Sequence, residues 1–328
     1  MPVVSIDVGA PADPPPPPPR WAVLQRRAFD TLAASAQLYV EAVTNPDGSL
    51  IWHESDSPWR DAQGRTRLDA QGAAMDWPGI DGSDDGYEAF CSLALLYCLG
   101  GGEDLHSTAR RQWRAVTKQF TEFGQVYDEF DGTYDWMHHG ESSQYIYYLG
   151  LADPDNATDR ERSLKFAALY TDEAAGNWDA ELAMIRSPLN GSRGALIDTT
   201  ELDWCTHRET LTGYLCPFLD HPLVPADAEW DFELNWNDDE VMEGVVAQFN
   251  QRQTSGDVPL NLLATSLVTH AFLFQPEDKA KHKAWVLSYL AAWEQRTAAN
   301  GGIIPDNVGP SGVAGELFDG KWWGGARE

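Results

Sequence analysis

No stretch of this sequence is apolar for long enough to cross a bilayer, because a transmembrane helix needs about 20 such residues. The amino terminus also lacks the basic segment and apolar core of a secretory signal. It runs instead into six consecutive prolines at residues 14–19, which favour an extended polyproline II arm. We therefore expect a cytoplasmic protein with a proline-rich arm at residues 1–19 and one domain over residues 20–328.

Basic residues are scarce, with 23 Lys and Arg against 51 Asp and Glu and a net charge of −28. A field this negative repels nucleic acid and anionic membranes, so neither is an expected partner. It also opposes an anionic substrate at long range. Any site for a uronic acid would therefore need its own Arg or His.

Cysteine is rare too. The four residues Cys91, Cys98, Cys205 and Cys216 form no CxxC pair, which argues against a disulfide scaffold and the common zinc motifs. No HExxH motif is present, and we predict neither a metal nor a cofactor. Because Cys91 and Cys98 lie seven residues apart in an apolar segment, we predict that both are buried, reduced thiols.

Alternating strand patterns are nearly absent, and helical spacing prevails, so the sequence predicts an all-α fold. Apolar helices alternate with amphipathic ones, a pattern that favours an inner and an outer ring of helices, the (α/α)6 toroid. The sequence ends at Glu328 without a terminal helix, so we expect that the ring is open, that a partner chain completes it, or that the sequence is truncated. The expected longer helices lie at about 21–44, 86–99, 104–127, 157–170, 238–252, 257–274 and 277–299, with short apolar ones ending near residues 149 and 219.

The densest polar segment, residues 135–148, immediately precedes and enters one of the short apolar helices. It contains His138, His139, Glu141 and Tyr145 together with an amide and several other aromatic residues. Packing alone would place apolar residues at regular spacing here and keep polar ones outside. We interpret this segment as one wall of a carbohydrate site.

Similar polar clusters stand where the other apolar helices begin, and in a helical toroid such positions gather on one face. Each cluster also has a structural explanation: helix capping for Asp84 and Asp85, a surface loop for the His pair, and local ion pairing for Arg208. The other clusters are Asp81/Asp84/Asp85, Asp203/His207/Arg208/Glu209, and Asp306/Asn307 with Glu316.

Two reactions on glycans suit these residue types. Hydrolysis of a glycosidic bond needs one protonated carboxyl and a second carboxylate, and two facing carboxylates raise one of their pKa values. Asp85, Glu141 and Glu209 are the candidates for that pair. Elimination at a uronic acid instead needs a base, such as Tyr145 or a His, and a group that neutralises the sugar carboxylate. The sequence leaves both open.

Four stretches resemble bacterial (α/α)6-toroid carbohydrate-active enzymes, most closely glycoside hydrolase family 154, which contains β-glucuronidases. The resemblance implies a hydrolase of polysaccharide degradation that releases terminal β-glucuronate by carboxylate acid/base catalysis. The stretches are Asp76-Trp77-Pro78-Gly79, Asp81-Gly82-Ser83-Asp84-Asp85-Gly86-Tyr87-Glu88, Trp136-Met137-His138-His139-Gly140-Glu141, and Ile304-Pro305-Asp306-Asn307-Val308-Gly309 with Trp322-Trp323-Gly324-Gly325.

With this resemblance, Arg208 and the His residues are expected to hold the sugar carboxylate, while Trp residues stack on the rings. A polysaccharide lyase is the alternative enzyme. A non-catalytic glycan-binding toroid, or a toroid enzyme that uses cysteine on a non-sugar substrate, also stays open, as does a homo-oligomer. The expected binding residues are Trp77, Asp84, His138, His139, Tyr145, Asp203, Trp204, His207, Arg208, Asn307 and Trp323.

Overall fold

The computed structural model describes residues 16–51, 83–123, 126–127, 129–131, 141–191, 194–200, 227, 238–252, 254–274 and 278–323. These residues are mostly helical, which agrees with the predicted all-α class, and none of their helices is long and apolar enough to cross a membrane. Their helices are α1 (Arg20–Val43), α2 (Ser83–Cys98), α3 (Asp104–Phe123), α4 (Glu141–Ala152), α5 (Ala157–Thr171), α6 (Asp239–Arg252), α7 (Thr265–Phe274) and α8 (Lys279–Ala299).

The strands in this part of the chain are short and form three antiparallel pairs that connect helices. Each strand has only two residues, so none forms a layer of its own. The pairs are β1 (Val126–Tyr127) with β2 (Phe130–Asp131), β3 (Trp178–Asp179) with β4 (Met184–Ile185), and β5 (Asn190–Gly191) with β6 (Gly194–Ala195).

The apolar helices α2, α4 and α7 pack side by side in that order, and the amphipathic helices pack on the outside of them. Helix α3 lies against α2 and α4, α5 against α4 and α7, and α8 against α7. Helix α1 packs on α2. Among the described helices the sequence alternation therefore corresponds to an inner and an outer layer.

Aromatic side chains fill the space between these layers. Tyr87, Trp113 and Tyr145 meet where α2, α3 and α4 come together, with ring centroids 4.7 to 6.3 Å apart. Trp178 and Trp285 form a second such group where β3 packs on α8. Each fully buried large apolar side chain contributes roughly 1.5–3 kcal/mol. These tryptophans thus serve the core and not a sugar site.

A buried ion-pair network joins the outer helices α3 and α5. Arg110 contacts Asp159 through both terminal nitrogens, at 3.1 and 2.5 Å, and Arg162 also donates to Asp159 at 3.2 Å. Arg162 reaches Glu129 as well, beside the β1–β2 hairpin. Asp159 is almost fully buried, so removing either arginine would leave a buried carboxyl group with fewer partners.

Some predicted boundaries and burials are wrong. Helix α3 ends at Phe123 because the chain turns into β1 and β2, and the helix predicted from residue 257 starts as a 3-10 segment at Pro259–Ala264. Cys98 is exposed and Cys91 is half-buried, in contrast to the predicted buried pair. Cys98 is the last residue of α2 and therefore lies past the packed part of that helix. The predicted helix near residue 219 lies outside the described residues.

Candidate active site

The predicted site residues fall into three groups. Asp84, Asp85 and Glu141 lie in the first turns of α2 and α4, where only their backbone is described. Tyr145, Asn307 and Trp323 are described in full. Outside the described residues lie Trp77, His138, His139, Asp203, Trp204, His207, Arg208 and Glu209.

Helices α2 and α4 run side by side with their first residues at the same level. Tyr87 is the fifth residue of α2 and Tyr145 is the fifth residue of α4. Their rings meet edge to face, with centroids 6.3 Å apart. Both rings also contact Trp113 of α3. The first turns that contain Asp84, Asp85 and Glu141 are therefore neighbours at one end of the inner layer.

Tyr145 is part of the core and does not face a cleft. Its side chain is fully buried, and its hydroxyl donates to the carbonyl oxygen of Ala109 at 2.7 Å. Burial raises the pKa of this hydroxyl well above its ordinary value. A buried phenol with its proton committed to a backbone carbonyl cannot touch a sugar or remove a proton from one. This placement does not fit the predicted role of Tyr145.

The third inner helix, residues 259–274, also packs on α4. His270, in its second half, lies over Gly150 near the end of α4 and contacts the ring of Tyr147 in the middle of that helix. Burial lowers the pKa of His270 to about 4, partly offset by the charge of Asp159 at the start of α5. His270 is therefore neutral near pH 7.

Contacts at the other end of α5 show the direction of this third helix. Tyr170, near the end of α5, donates to the carbonyl oxygen of Asn190 in β5. Five residues earlier along the same segment, the Ile185 amide donates to Asp257, just before the third helix. Helix α5 thus starts near His270 and ends near Asp257, antiparallel to residues 259–274. Because α4 ends near His270, in the second half of the third inner helix, these two helices run in the same direction. The third inner helix therefore begins at the same end as α2 and α4.

Asp257 is the centre of a buried polar cluster at that end, which sequence reasoning missed. Its carboxylate accepts from Asn261 at 2.7 Å, from the Tyr289 hydroxyl at 3.0 Å and from the Ile185 amide at 3.1 Å. Arg296 lies 3.8 Å away. The available signal was an Asp before an apolar helix, the same pattern that drew attention to Asp85.

Burial raises the pKa of the Asp257 carboxyl to about 6, although the Asn261 hydrogen bond and the charge of Arg296 act in the opposite direction. Between about pH 4 and pH 6 the folded protein keeps this proton while the unfolded chain has lost it. The stabilisation from this group is complete below about pH 4 and is lost as the pH rises through 6. Two pKa units correspond to about 3 kcal/mol.

We expect Asp257→Asn to remove this pH dependence, because the amide does not titrate. Unfolding by urea would be measured for wild type and variant from pH 4 to pH 7, and the difference in their free energies of unfolding plotted. Other carboxyls titrate in both proteins and cancel. The wild type should lose about 3 kcal/mol relative to the variant across this range. A constant difference would contradict the raised pKa of Asp257.

Asn307 holds the carboxy-terminal loop in place beside this cluster. Its side-chain oxygen accepts from the Gly315 amide at 2.9 Å, and its nitrogen donates to the Asp306 side chain and to the carbonyl oxygen of Lys321. The neighbouring residue Val308 pairs through its backbone with Asp257. With its polar atoms engaged in the loop, Asn307 positions the chain and is not presented to a sugar.

Trp323 differs from the other fully described candidates because its side chain is exposed. The ammonium group of Lys321 lies 5.9 Å from its ring centroid. A half-exposed indole ring with a cation on one face retains apolar surface that can stack on a sugar ring. Trp323 follows the loop that Asn307 anchors near Asp257, so it belongs to the end where the inner helices begin.

The described ranges contain no group of three or more His, Cys, Asp or Glu residues that could hold a metal ion. The candidate site is the end of the inner layer where α2 and α4 begin, and acidic residues lie in the first turns of both helices. The buried Asp257 cluster and the exposed Trp323 belong to the same end.

The sequence was compared with known proteins, with solved structures and with models of protein families. No curated protein and no solved structure matches the chain. One family model, described as a domain of unknown function (DUF8034), matches residues 10–327. Since this match covers nearly all of the sequence, the chain belongs to the DUF8034 family.

Proposed function

We propose that this protein is a glycoside hydrolase that releases terminal β-glucuronic acid from uronic-acid-containing glycans. The observation that carries the proposal is the shared starting level of α2 and α4. Acidic residues from two distant parts of the sequence, Asp84 and Asp85 in one and Glu141 in the other, begin neighbouring helices there. Glycosidic bond cleavage requires two carboxyl groups contributed to one site.

The (α/α)6 toroid is part of this proposal. It is supported by three neighbouring apolar helices, α2, α4 and the helix over residues 259–274, each followed by an amphipathic helix outside. In a toroid the inner helices all begin at the same face, which would become the mouth of a central cleft. An exposed Trp323 near that face is the kind of side chain that stacks on a sugar.

In the proposed mechanism, one carboxyl protonates the leaving oxygen and a second carboxylate acts on water or on the anomeric carbon. Glu141 and Asp85 are the pair supported by the neighbouring helix starts, and Glu209 remains a candidate from the sequence. Two carboxyls that face each other shift one pKa upward, which keeps that group protonated as the acid. Arg208 with His138 and His139 would hold the substrate carboxylate.

The position of Tyr145 favours hydrolysis over elimination. Uronate elimination needs a base that reaches the C5 proton, and Tyr145 was the phenolic candidate for it. With its hydroxyl bonded to Ala109 inside the core, only the histidines are left for that role. Hydrolysis needs only carboxyls, and these begin both neighbouring helices.

The test is a panel of chromogenic glycosides, with β-glucuronide and β-glucoside side by side, together with a uronate polysaccharide. We expect chromophore release from the glucuronide and none from the glucoside. Release from the glucoside alone would overturn the uronate assignment. Ultraviolet absorbance growing on the polysaccharide would indicate the C4–C5 double bond of a lyase and would overturn hydrolysis. No turnover with binding retained would favour a glycan-binding protein.

A further inference from the structure

Helix α1 exposes apolar side chains that no other described segment of the chain covers. Its opposite face, with Ala33, Ala36, Val40 and Val43, packs on the core. Five large apolar side chains of α1 are more than half exposed: Trp21 at 68%, Val23 at 51%, Leu24 at 53%, Leu32 at 54% and Leu38 at 68%. Several large exposed apolar side chains on one helix mark a candidate interaction site.

Three of these residues, Trp21, Leu24 and Leu38, lie on one stripe with a seven-residue repeat, the spacing of helices that pair along their length. Every residue of the stripe is exposed, and the stripe combines large residues with small ones. The first positions of the repeat are Trp21, Ala28, Ser35 and Ala42, and the fourth positions are Leu24, Thr31 and Leu38.

We propose that α1 pairs in antiparallel orientation with α1 of a second copy of this chain, forming a homodimer. In this alignment Leu24 packs against the partner's Ala42, Leu38 against the partner's Ala28, and Thr31 against the partner's Ser35. Each leucine meets a small residue, so both helices can approach closely without leaving voids. Because the interface is twofold symmetric, every contact occurs twice.

A parallel pair fits the same residues poorly. It would place Leu24 against Leu24 and Leu38 against Leu38, with Ala28 against Ala28 between them. Bulky layers would then hold the helices apart at the alanine layer and leave a gap there. The order of large and small residues therefore selects the antiparallel pair.

The charges beside the stripe select the same orientation. Arg27 and Glu41 are both exposed, and each lies one residue before a first position of the repeat. Antiparallel alignment brings Arg27 opposite the partner's Glu41, and residues at this flanking position help to choose partner and orientation. Although the chain has a net charge of −28, α1 has three arginines against two acidic residues. It therefore carries a small net positive charge, which reduces the repulsion between two acidic copies at this helix.

The dimer should be of moderate affinity. A helix of 24 residues is about 36 Å long, and one pair of such helices makes an interface near the small end of stable ones. Sedimentation velocity over a wide concentration range is therefore the suitable measurement. The weight-average mass of the wild type should rise from 36.4 kDa toward twice that value.

The first variant is Leu38→Glu, which puts a charge opposite the partner's Ala28. It should remain monomeric where the wild type dimerises, with unchanged helix content by circular dichroism. Leu287→Glu is the matched control, because Leu287 on α8 is 56% exposed and undergoes the same substitution away from α1. It should behave as the wild type. Equal loss of dimer in both variants would contradict a specific role of α1.

The second test concerns the orientation. Arg27→Glu should weaken dimerisation at least about tenfold, because it faces the partner's Glu41. The double variant Arg27→Glu, Glu41→Arg should restore it, since the pair is only reversed. Failure of the double variant to recover would overturn the antiparallel alignment.

A wild type that stays monomeric at about 100 µM would overturn the dimer itself. Hydrogen exchange would then show why the wild type stays monomeric. Strong protection of α1 amides in such a monomer would mean that another part of this chain covers the face, and fast exchange would mean that the face stays bare.

Discussion

Glu141→Gln is expected to lower kcat on a β-glucuronide at least about 100-fold, because proton transfer by a positioned side chain contributes that much or more. Glutamine has the same shape but can neither donate nor accept the proton. Glu141 is the first residue of α4, and the aromatic core contact of that helix, Tyr145 with Trp113, lies four residues later. The melting temperature should therefore remain within about 2 °C of wild type.

Glu161→Gln is the matched control for this prediction. Glu161 is an exposed residue of the outer helix α5, and the same change there should leave kcat unaltered. A Glu141→Gln variant that retains full kcat would remove Glu141 from the catalytic candidates and leave Asp85 and Glu209. A variant with normal kcat and a raised KM would indicate that Glu141 binds substrate without transferring a proton.

Gly150→Ala is expected to destabilise the protein by about 3 kcal/mol through overpacking between α4 and α7. A methyl group at Gly150 would lie well inside contact distance of the His270 ring. His270 is buried and cannot swing aside, because Tyr147 lies on one side of its ring and Phe274 on another. Urea unfolding would show the loss as a lower midpoint with an unchanged slope.

Two further variants isolate the cause. Gly102→Ala adds a methyl group whose closest contact is Ala33 at an ordinary 3.8 Å, so its effect should stay within about 0.5 kcal/mol. His270→Ala removes the ring that the new methyl group meets. The double variant Gly150→Ala, His270→Ala should therefore be more stable than the sum of the single losses by at least about 1 kcal/mol. Strict additivity would contradict a clash between these residues.

Tyr145 and Asp257 show why the site was only partly predictable. Tyr145 was chosen because it lies within the polar segment at residues 135–148, but a helix turns each successive side chain by about 100°. At the fifth position of α4 the ring points between α2 and α3. Asp257 was missed because its burial depends on Ile185 and Tyr289, which lie 72 residues before and 32 residues after it.

By itself, the sequence determined that the protein is helical, which helices are apolar, and that acidic residues stand at the start of two of them. These properties follow from local spacing, since hydrophobic periodicity is visible within one or two turns. The tertiary structure alone decided that α2 and α4 start at one level, that Asp257 keeps a raised pKa, and that large apolar side chains of α1 are exposed. Each of these depends on side chains from distant segments packing together, and no local pattern encodes such a contact.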